Sequence, residues 1–582
     1  MVRTRPRAYR FGDFTLDLEE HRLACGDREI PLEPKMFEAV RCLVERHGRL
    51  VTKRELHDQV WGDVVVSDGA LVRCMTELRK ALGDAAKQPR YIQTVPRLGY
   101  RFIERVEAIE SASPPHAALP ADRRTMRSLV VLPFVDLNRD PEQEYFADGF
   151  TDLLIADLGR IGALHVISRT SAMCYRATTK PLRDIARELS ADAVVEGSVL
   201  RAGNRVRITV QLIDAPADRH LWAQSYERDL HDILRLQQEV ARDVTSAIQI
   251  ALTAEDALRL GASRAVDPDA HEAYLKGFHF WHRRTAEDVA RSIGLFQRAI
   301  ELDATYAAPH AGLAQAHGVA GFFGYVPPSQ AFAQMKAHAT TALTLDPTSV
   351  DAQACLAAVH LLYEWNWIAA EERFLLVLAE NPSHAVAREW HGWCLVALGR
   401  IDDALAEMRR AREVDPLSVR AHAAMAMCLY FARQHDRAID CLKLAHELDP
   451  RFADAHCGLG LNYQQLAMWD QSFAEFHEAL ALSGRSAEDV ASLGFAYGAA
   501  GRTDEARAML SELEAMAAPR YVPPVYFAAI HAGLGNTEEA CDWLERGVEE
   551  RSGWLVFLRV DPWWDGLRAS RRFNRLLDRM RL

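Results

Sequence analysis

The residues best suited to chemistry lie near the amino end, where positive charge recurs at helical spacing. Around 68–82, Leu71, Cys74, Met75, Leu78 and Leu82 share one stripe, while Arg73, Thr76, Glu77 and Lys80 point the other way with Arg79 flanking. A helix that buries one stripe and shows a cation-bearing polar face has the size to enter the major groove of double-stranded DNA. Arg79 and Lys80 also stand where a helix C-terminus favours cations, so their charge has a second, purely structural use. Two elements must hold this helix. Pro34 opens a first helix, with Phe37, Val40, Leu43 and Val44 apolar, and Thr52-Lys53-Arg54-Glu55 opens a second as a capping box. Leu56 and Val60 follow, then Trp61-Gly62. Beyond Gly83, the run from Tyr91 to Phe102 reads as two strands with a tight connection. Trp61 and Tyr100 are expected in the core.

The chain has 582 residues, enough for about three or four domains, and is 49% hydrophobic and 26% charged, as folded proteins are. Its net charge of −12 is uneven: residues 1–105 carry +4, residues 106–265 carry −4 and residues 266–582 carry −12. A basic head on an acidic body suits binding of a polyanion by the head alone. No apolar run, Leu129–Val135 being a typical long one, approaches the length needed to cross a bilayer, and MVRTRPRAYRFGDF has no secretory apolar segment. Ten cysteines without a CxxC pair indicate neither a zinc site nor a disulfide framework, and a cytoplasmic protein with reduced thiols is expected.

The blocks PLEPKMFEAVRCLVERHGRLVTKRELHDQVWG, LVRCMTELRKALGD and YIQTVPRLGYRF resemble the winged helix-turn-helix domain of the OmpR/PhoB type. The resemblance covers about 9–105 and implies a sheet before the helices, a recognition helix at about 68–82 and a β-hairpin wing at 91–102 reaching the minor groove. It makes Arg73, Thr76 and Glu77 the candidates for base edges. Arg79, Lys80, Lys53 and Arg54 would hold phosphates, and Thr94 and Arg97 belong to the wing. Response regulators of this type place Arg directly after Thr-Val, whereas here Pro96 intervenes, a variant similar to the ToxR/CadC-like branch. With no receiver domain ahead of this head, control is expected from the residues that follow, and no membrane-crossing helix is expected after the linker.

Residues 106–127 read as that linker. Residues 128–260 alternate strands and helices into a small α/β domain: Leu129–Val135, Val166-Ile167, Ala193–Leu200 and the alternating Val206, Ile208, Val210 and Leu212 as strands, with helices at about 145–160, after Pro181 and at about 230–252. Its blocks VVLPF, YFADGFTDLL, VISRTS, VVEGSVLRAGNRVRITVQLIDA and HLWAQSYERDL look like the TolB-N/FlgO-like domain, which implies no known chemistry. Asp148, Asp152 and Asp157 stand at helical spacing and are expected on a solvated face rather than around a metal.

From 268 to 582 nearly everything is helical and periodic. Asp346-Pro347, Asn381-Pro382, Asp415-Pro416 and Asp449-Pro450 stand 35, 34 and 34 residues apart, with an insertion at 322–330. Small residues recur in phase at Gly392, Ala426 and Gly460. The period and these residues resemble tetratricopeptide repeats, about seven or eight of them, stacking into an all-α superhelix because no single helix pair buries its own apolar face. By repeat phase Trp393, Met427, Tyr430, Leu461, Gln464 and Phe495 fall on or near the face lining the groove, where a protein or peptide partner would lie, unless they serve packing between units. Trp554, Trp563 and Trp564 are expected to cap the final helices.

No GxxxxGK[ST], GxSxG, HExxH or GxGxxG occurs, so no enzyme and no cofactor is expected. The resulting expectation is a multidomain, soluble one-component transcriptional regulator: an α+β head, an α/β middle and an all-α repeat body, binding DNA as a homodimer. Two rival readings remain, a repeat scaffold or adaptor with a vestigial DNA-binding head, and a nucleotide- or metabolite-responsive sensor acting through the middle domain.

Overall fold

The structure is a computed structural model describing residues 8–17, 22–25, 28–30, 32, 34–53, 55–56, 60, 68–85, 89–95, 98–109, 126–138, 144–176, 178–248, 266–281 and 285–582. The chain divides into two compact units, Met1–Arg123 and Arg124–Leu582.

In the first unit, antiparallel strands Arg28–Ile30, Arg22–Cys25, Phe14–Asp17, Ala8–Phe11 and Glu107–Ile109 form a sheet in that order. Helices Pro34–Glu45 and Asp68–Leu82 pack beside a second sheet of Leu50–Thr52, Gly99–Phe102 and Ile92–Val95. The capping box forms: Thr52 Oγ1 accepts from the Glu55 N–H at 3.2 Å and Glu55 Oε2 from the Thr52 N–H at 2.7 Å. Leu56 and Val60 are buried behind it. Phe11, Phe14, Tyr91 and Phe102 make one aromatic cluster, with Phe11 and Phe102 rings 5.0 Å apart edge-on. Gly99 is fixed sterically, since a Cβ there would stand 2.0 Å from the Val51 carbonyl oxygen across the strand pair.

In the second unit a mixed sheet runs His165–Val166, Ser128–Val131, Ala193–Ala202, Arg205–Asp214, Arg219–Asp229, parallel on the first side and antiparallel on the second. Helices Glu144–Gly159 and Ile233–Ala247 cover it. The last strand, RHLWAQSYERD, is not among the strands expected from periodicity: it lies at the sheet's edge with most side chains in water, so it carries no alternating apolar signal. Asp148 and Asp152 are buried, against the expectation of a solvated face. Arg176 pairs with Asp148 and Arg169 with Asp152, and His279 Nδ1 lies 3.6 Å from Asp148, so these carboxylates join the helix to its neighbours.

Antiparallel helix pairs from Pro268–Trp281 to Thr537–Glu550 build the superhelix. The Asp/Asn-Pro punctuation has a local cause. Asp346 Oδ1 and Asn381 Oδ1 each accept the N–H two residues on, at 3.0 Å, and Asp449 Oδ1 does so at 2.9 Å, closing the turn that Pro helps stop. Small residues admit neighbouring helices: a Cβ on Gly392 would stand 2.7 Å from Met408 Cε, and one on Gly460 2.8 Å from the Phe476 ring. At Asp415 the turn is completed from outside. Ser171 of the α/β part donates its hydroxyl to Asp415 Oδ1 at 2.7 Å and accepts the Leu417 N–H at 2.8 Å. Ser168 donates its N–H to the Val414 carbonyl at 2.8 Å, so the α/β part and the repeats share one packed body.

The insertion after Phe322 reaches across this body. Gly324, at φ +67°, sits where a Cβ would stand 2.6 Å from Pro523 Cγ. The tail differs from its expected capping role. Helical turns Gly553–Phe557 and Pro562–Leu567 lie back along earlier repeats, with Trp554 5.8 Å from Phe322, Phe557 5.4 Å from Trp393 and Trp563 stacked 5.7 Å from Phe495. Trp367 Nε1 donates to the Met580 carbonyl at 3.1 Å and fastens the chain's end.

Candidate nucleic-acid interface

The recognition helix Asp68–Leu82 presents the face its pattern implies. Leu71, Cys74, Met75, Leu78 and Leu82 are buried, and Val72, Arg73, Thr76, Glu77 and Lys80 are exposed. Lys80 Nζ stands 3.9 Å from Glu77 Oε2, both largely in solvent, so the pair offers a positive and a negative group side by side at little mutual cost. The Thr76 hydroxyl donates to the Val72 carbonyl at 2.8 Å, which leaves its oxygen lone pairs and methyl group outward. Val72, 49% exposed, was not singled out from sequence; its signal is an apolar residue set off the buried stripe, beside Arg73 and Thr76.

Arg79 is placed differently from a phosphate-holding side chain. Its Nη2 donates to the Ile92 carbonyl at 3.0 Å and to Thr94 Oγ1 at 2.7 Å, and the guanidinium lies 5.8 Å from the centre of the Tyr100 ring. Arg79 and Thr94 thus lock the helix to the wing strand Ile92–Val95. A further residue supports the same strand. Asp84 is buried, and its two carboxylate oxygens accept the Arg90 N–H at 2.6 Å and the Ile92 N–H at 2.8 Å. An acidic residue just past a helix-ending Gly83 is the signal that could have marked it. Lys53 is half-buried, and its N–H donates to the Leu98 carbonyl at 3.1 Å, tying the second helix to the wing's turn. Arg54, Trp61 and Arg97 lie outside the described residues.

Of the six groove residues, Trp393 and Met427 line a cavity of about 730 Å³ on the concave face of the repeats. The other four are not among its lining. Tyr430 is buried beside Phe431 and His435, Leu461 and Gln464 are buried within their repeat, and Phe495 is covered by Trp563. Phase alone does not show that the chain's own tail occupies part of that face. Among the described residues no group of three or more His, Cys, Asp or Glu is arranged to hold a metal ion, and no helix is long and apolar enough to cross a membrane.

Residues 27–102 match the family described as "Transcriptional regulatory protein, C terminal", and residues 366–428 match "Tetratricopeptide repeat". Transcriptional regulator HilA of Salmonella typhi is 23% identical over 423 residues, covering 72% of this chain and 73% of that protein. A protein of Rhizobium meliloti (strain 1021), named provisionally as adenylate cyclase 3, is 39% identical over 202 residues, 35% of this chain; the chain spans only 34% of that relative's length. The transcriptional activator CadC of Escherichia coli (strain K12) is 29% identical over 131 residues, 21% of this chain and 26% of that one. Two segments with separate family matches, on two separately built architectures, define the chain: it carries an OmpR/PhoB-type DNA-binding transcriptional-regulator head and C-terminal tetratricopeptide repeats.

Proposed function

We propose that this regulator reads promoter DNA through the exposed face of Asp68–Leu82 and the adjoining wing, and that residues 128–260 and 268–582 control it. Arg73, Thr76 and Glu77 face base edges, Glu77 accepting from cytosine N4, while Val72 offers an apolar contact to a thymine methyl. Lys80, Lys53 and Arg54 hold phosphates, and Arg97 contacts the minor groove. Arg79 and Thr94 serve by fixing the wing against the recognition helix. One such head buries little surface, so two copies on adjacent half-sites supply the affinity. The repeats engage a protein partner, the concave face around Trp393 and Met427 is a binding surface of its own, and the chain acts in the cytoplasm without catalysis of its own.

The observation that carries this reading is the exposure of Arg73, Thr76, Glu77 and Lys80 together on one helix whose opposite stripe is buried. Genome-wide mapping of sites bound by the full chain tests it. Enrichment at promoters, lost in an Arg73→Ala, Lys80→Ala chain that still folds, is expected. Absence of enrichment favours instead an adaptor with a vestigial head, for which the anionic Glu77 on the presumed reading face is the supporting feature.

A further inference from the structure

The concave cavity has a chemistry of its own. One wall is aromatic: Phe322 lies 5.2 Å edge-on to Trp390 and 5.8 Å from Trp554, and Trp393 and Phe557 continue the same surface. Facing residues are acidic. Five carboxylates line the cavity, those of Asp351, Glu389, Asp454, Glu488 and Asp489, against two guanidiniums. One of the guanidiniums is already engaged, with Arg420 Nη2 3.0 Å from Glu389 Oε1. Asp351 has neutral or weakly basic company, His384 Nε2 at 3.3 Å and Gln315 Nε2 at 2.9 Å. Asp454, Glu488 and Asp489 face one another from the first helices of successive repeats, Ala453–Gln465 and Ala487–Ala499, with the Tyr526 hydroxyl 3.5 Å from Glu488.

We propose that this cavity is a binding site for a small organic cation, a molecule carrying ammonium or guanidinium groups on a short apolar frame. Ring faces attract such a cation through their quadrupoles and carboxylates through charge, and the two together are the usual composition of a cage for substituted ammonium groups. The volume of about 730 Å³ is that of a small-molecule pocket. The insertion at Gly324 packs on Pro523, and Trp554 and Phe557 of the tail turn Gly553–Phe557 form part of the wall. The state of Glu488 agrees: burial, reinforced by Asp454 and Asp489, raises its carboxyl to about 8, as befits a carboxyl with no cation beside it, which an entering cation would allow to ionise. The inference rests on reading the concave face around Trp393 and Met427 as a binding surface, and not on DNA recognition.

Isothermal titration of the full chain with spermidine and with arginine methyl ester, using hexanoate as the anionic control, tests the assignment. Saturable uptake of a cation and none of hexanoate is expected. Asp454→Asn and Glu488→Gln, separately and together, lower that affinity about tenfold or more without lowering the melting temperature, because each puts a neutral amide of the same shape where a carboxyl is held next to other carboxyls. Asp504→Asn, at an exposed position of Thr503–Ala517 outside the cavity lining, leaves it unchanged. No uptake of either cation, equal uptake of hexanoate, or undiminished affinity in both variants overturns the proposal, as does tighter uptake of a lysine-bearing decapeptide than of either small cation. A chain that takes up no cation yet occupies promoters loses only this assignment; one that takes up the cation and ignores DNA loses only the regulator reading.

Discussion

Arg79 Nη2 donates to Thr94 Oγ1 at 2.7 Å, joining the last turn of the recognition helix to the wing strand fifteen residues later. The two elements that would enter adjacent grooves are therefore coupled through one guanidinium, which also holds the Ile92 carbonyl. Arg79→Ala is expected to weaken DNA binding through loss of wing orientation, with the dependence of log K on log salt nearly unchanged. A residue that neutralised one phosphate would instead flatten that slope by about one. Arg79→Ala and Thr94→Val combined in a double-mutant cycle should show a coupling of about 0.5–3 kcal/mol; strictly additive losses would deny the link.

Asp84 secures the same strand from beneath. Asp84→Ala leaves the Arg90 and Ile92 N–H groups without their acceptor, one of them in the core. The expected cost is about 2–3 kcal/mol, read as a lower denaturation midpoint for the head.

Ser171→Ala removes both the donor to Asp415 and the acceptor of the Leu417 N–H. A loss of about 1–3 kcal/mol in the unfolding of residues 124–582 is expected. Ser171→Thr, which keeps the hydroxyl, should lose less; equal losses would mean that packing and not the bridge matters.

Gly324→Ala combines a left-handed backbone with a Cβ 2.6 Å from Pro523 Cγ. Destabilisation by about 1–3 kcal/mol follows, checked by chemical denaturation. An unchanged midpoint would show that the insertion does not brace the tail-side repeats.

Glu488 supplies a pH test with a definite sign. Its carboxyl is raised from the ordinary value of 4.5 to about 8, by burial first and then by Asp454 and Asp489, with the Tyr526 hydroxyl opposing. From pH 4.5 to pH 8 the unfolded chain has released this proton and the folded chain retains it, so stability falls across that window and levels above it. Glu488→Gln, which keeps the neutral form's shape, should gain on the parent chain in thermal melts as pH rises from 5 to 8.5. Parallel curves for the two chains would contradict this.

Much of this was legible because local rules and the fold agree. Asp/Asn-Pro spacing marks turns whose side-chain acceptors are set by sequence two residues away, and the stripe Leu71 to Leu82 marks a helix buried on one side. What was not legible depends on residues brought together from afar. Arg79 looks like a phosphate contact until Thr94 and Ile92 stand beside it, and Asp148 and Asp152 look solvated until Arg176 and Arg169 cover them. Arg219–Asp229 is held by its ladder with Arg205–Asp214 and not by an apolar pattern. Phase placed Phe495 on the groove, but Trp563, sixty-eight residues on, fills the space over it.

The central claim is that the face bearing Arg73, Thr76, Glu77 and Lys80 binds duplex DNA. Fluorescence anisotropy of the full chain on a labelled duplex, from low to high salt, tests it most directly. The account predicts binding whose log K falls linearly with log salt, and a slope that is shallower by about one in Lys80→Ala. A folded chain that leaves the duplex free even at the lowest salt would contradict it.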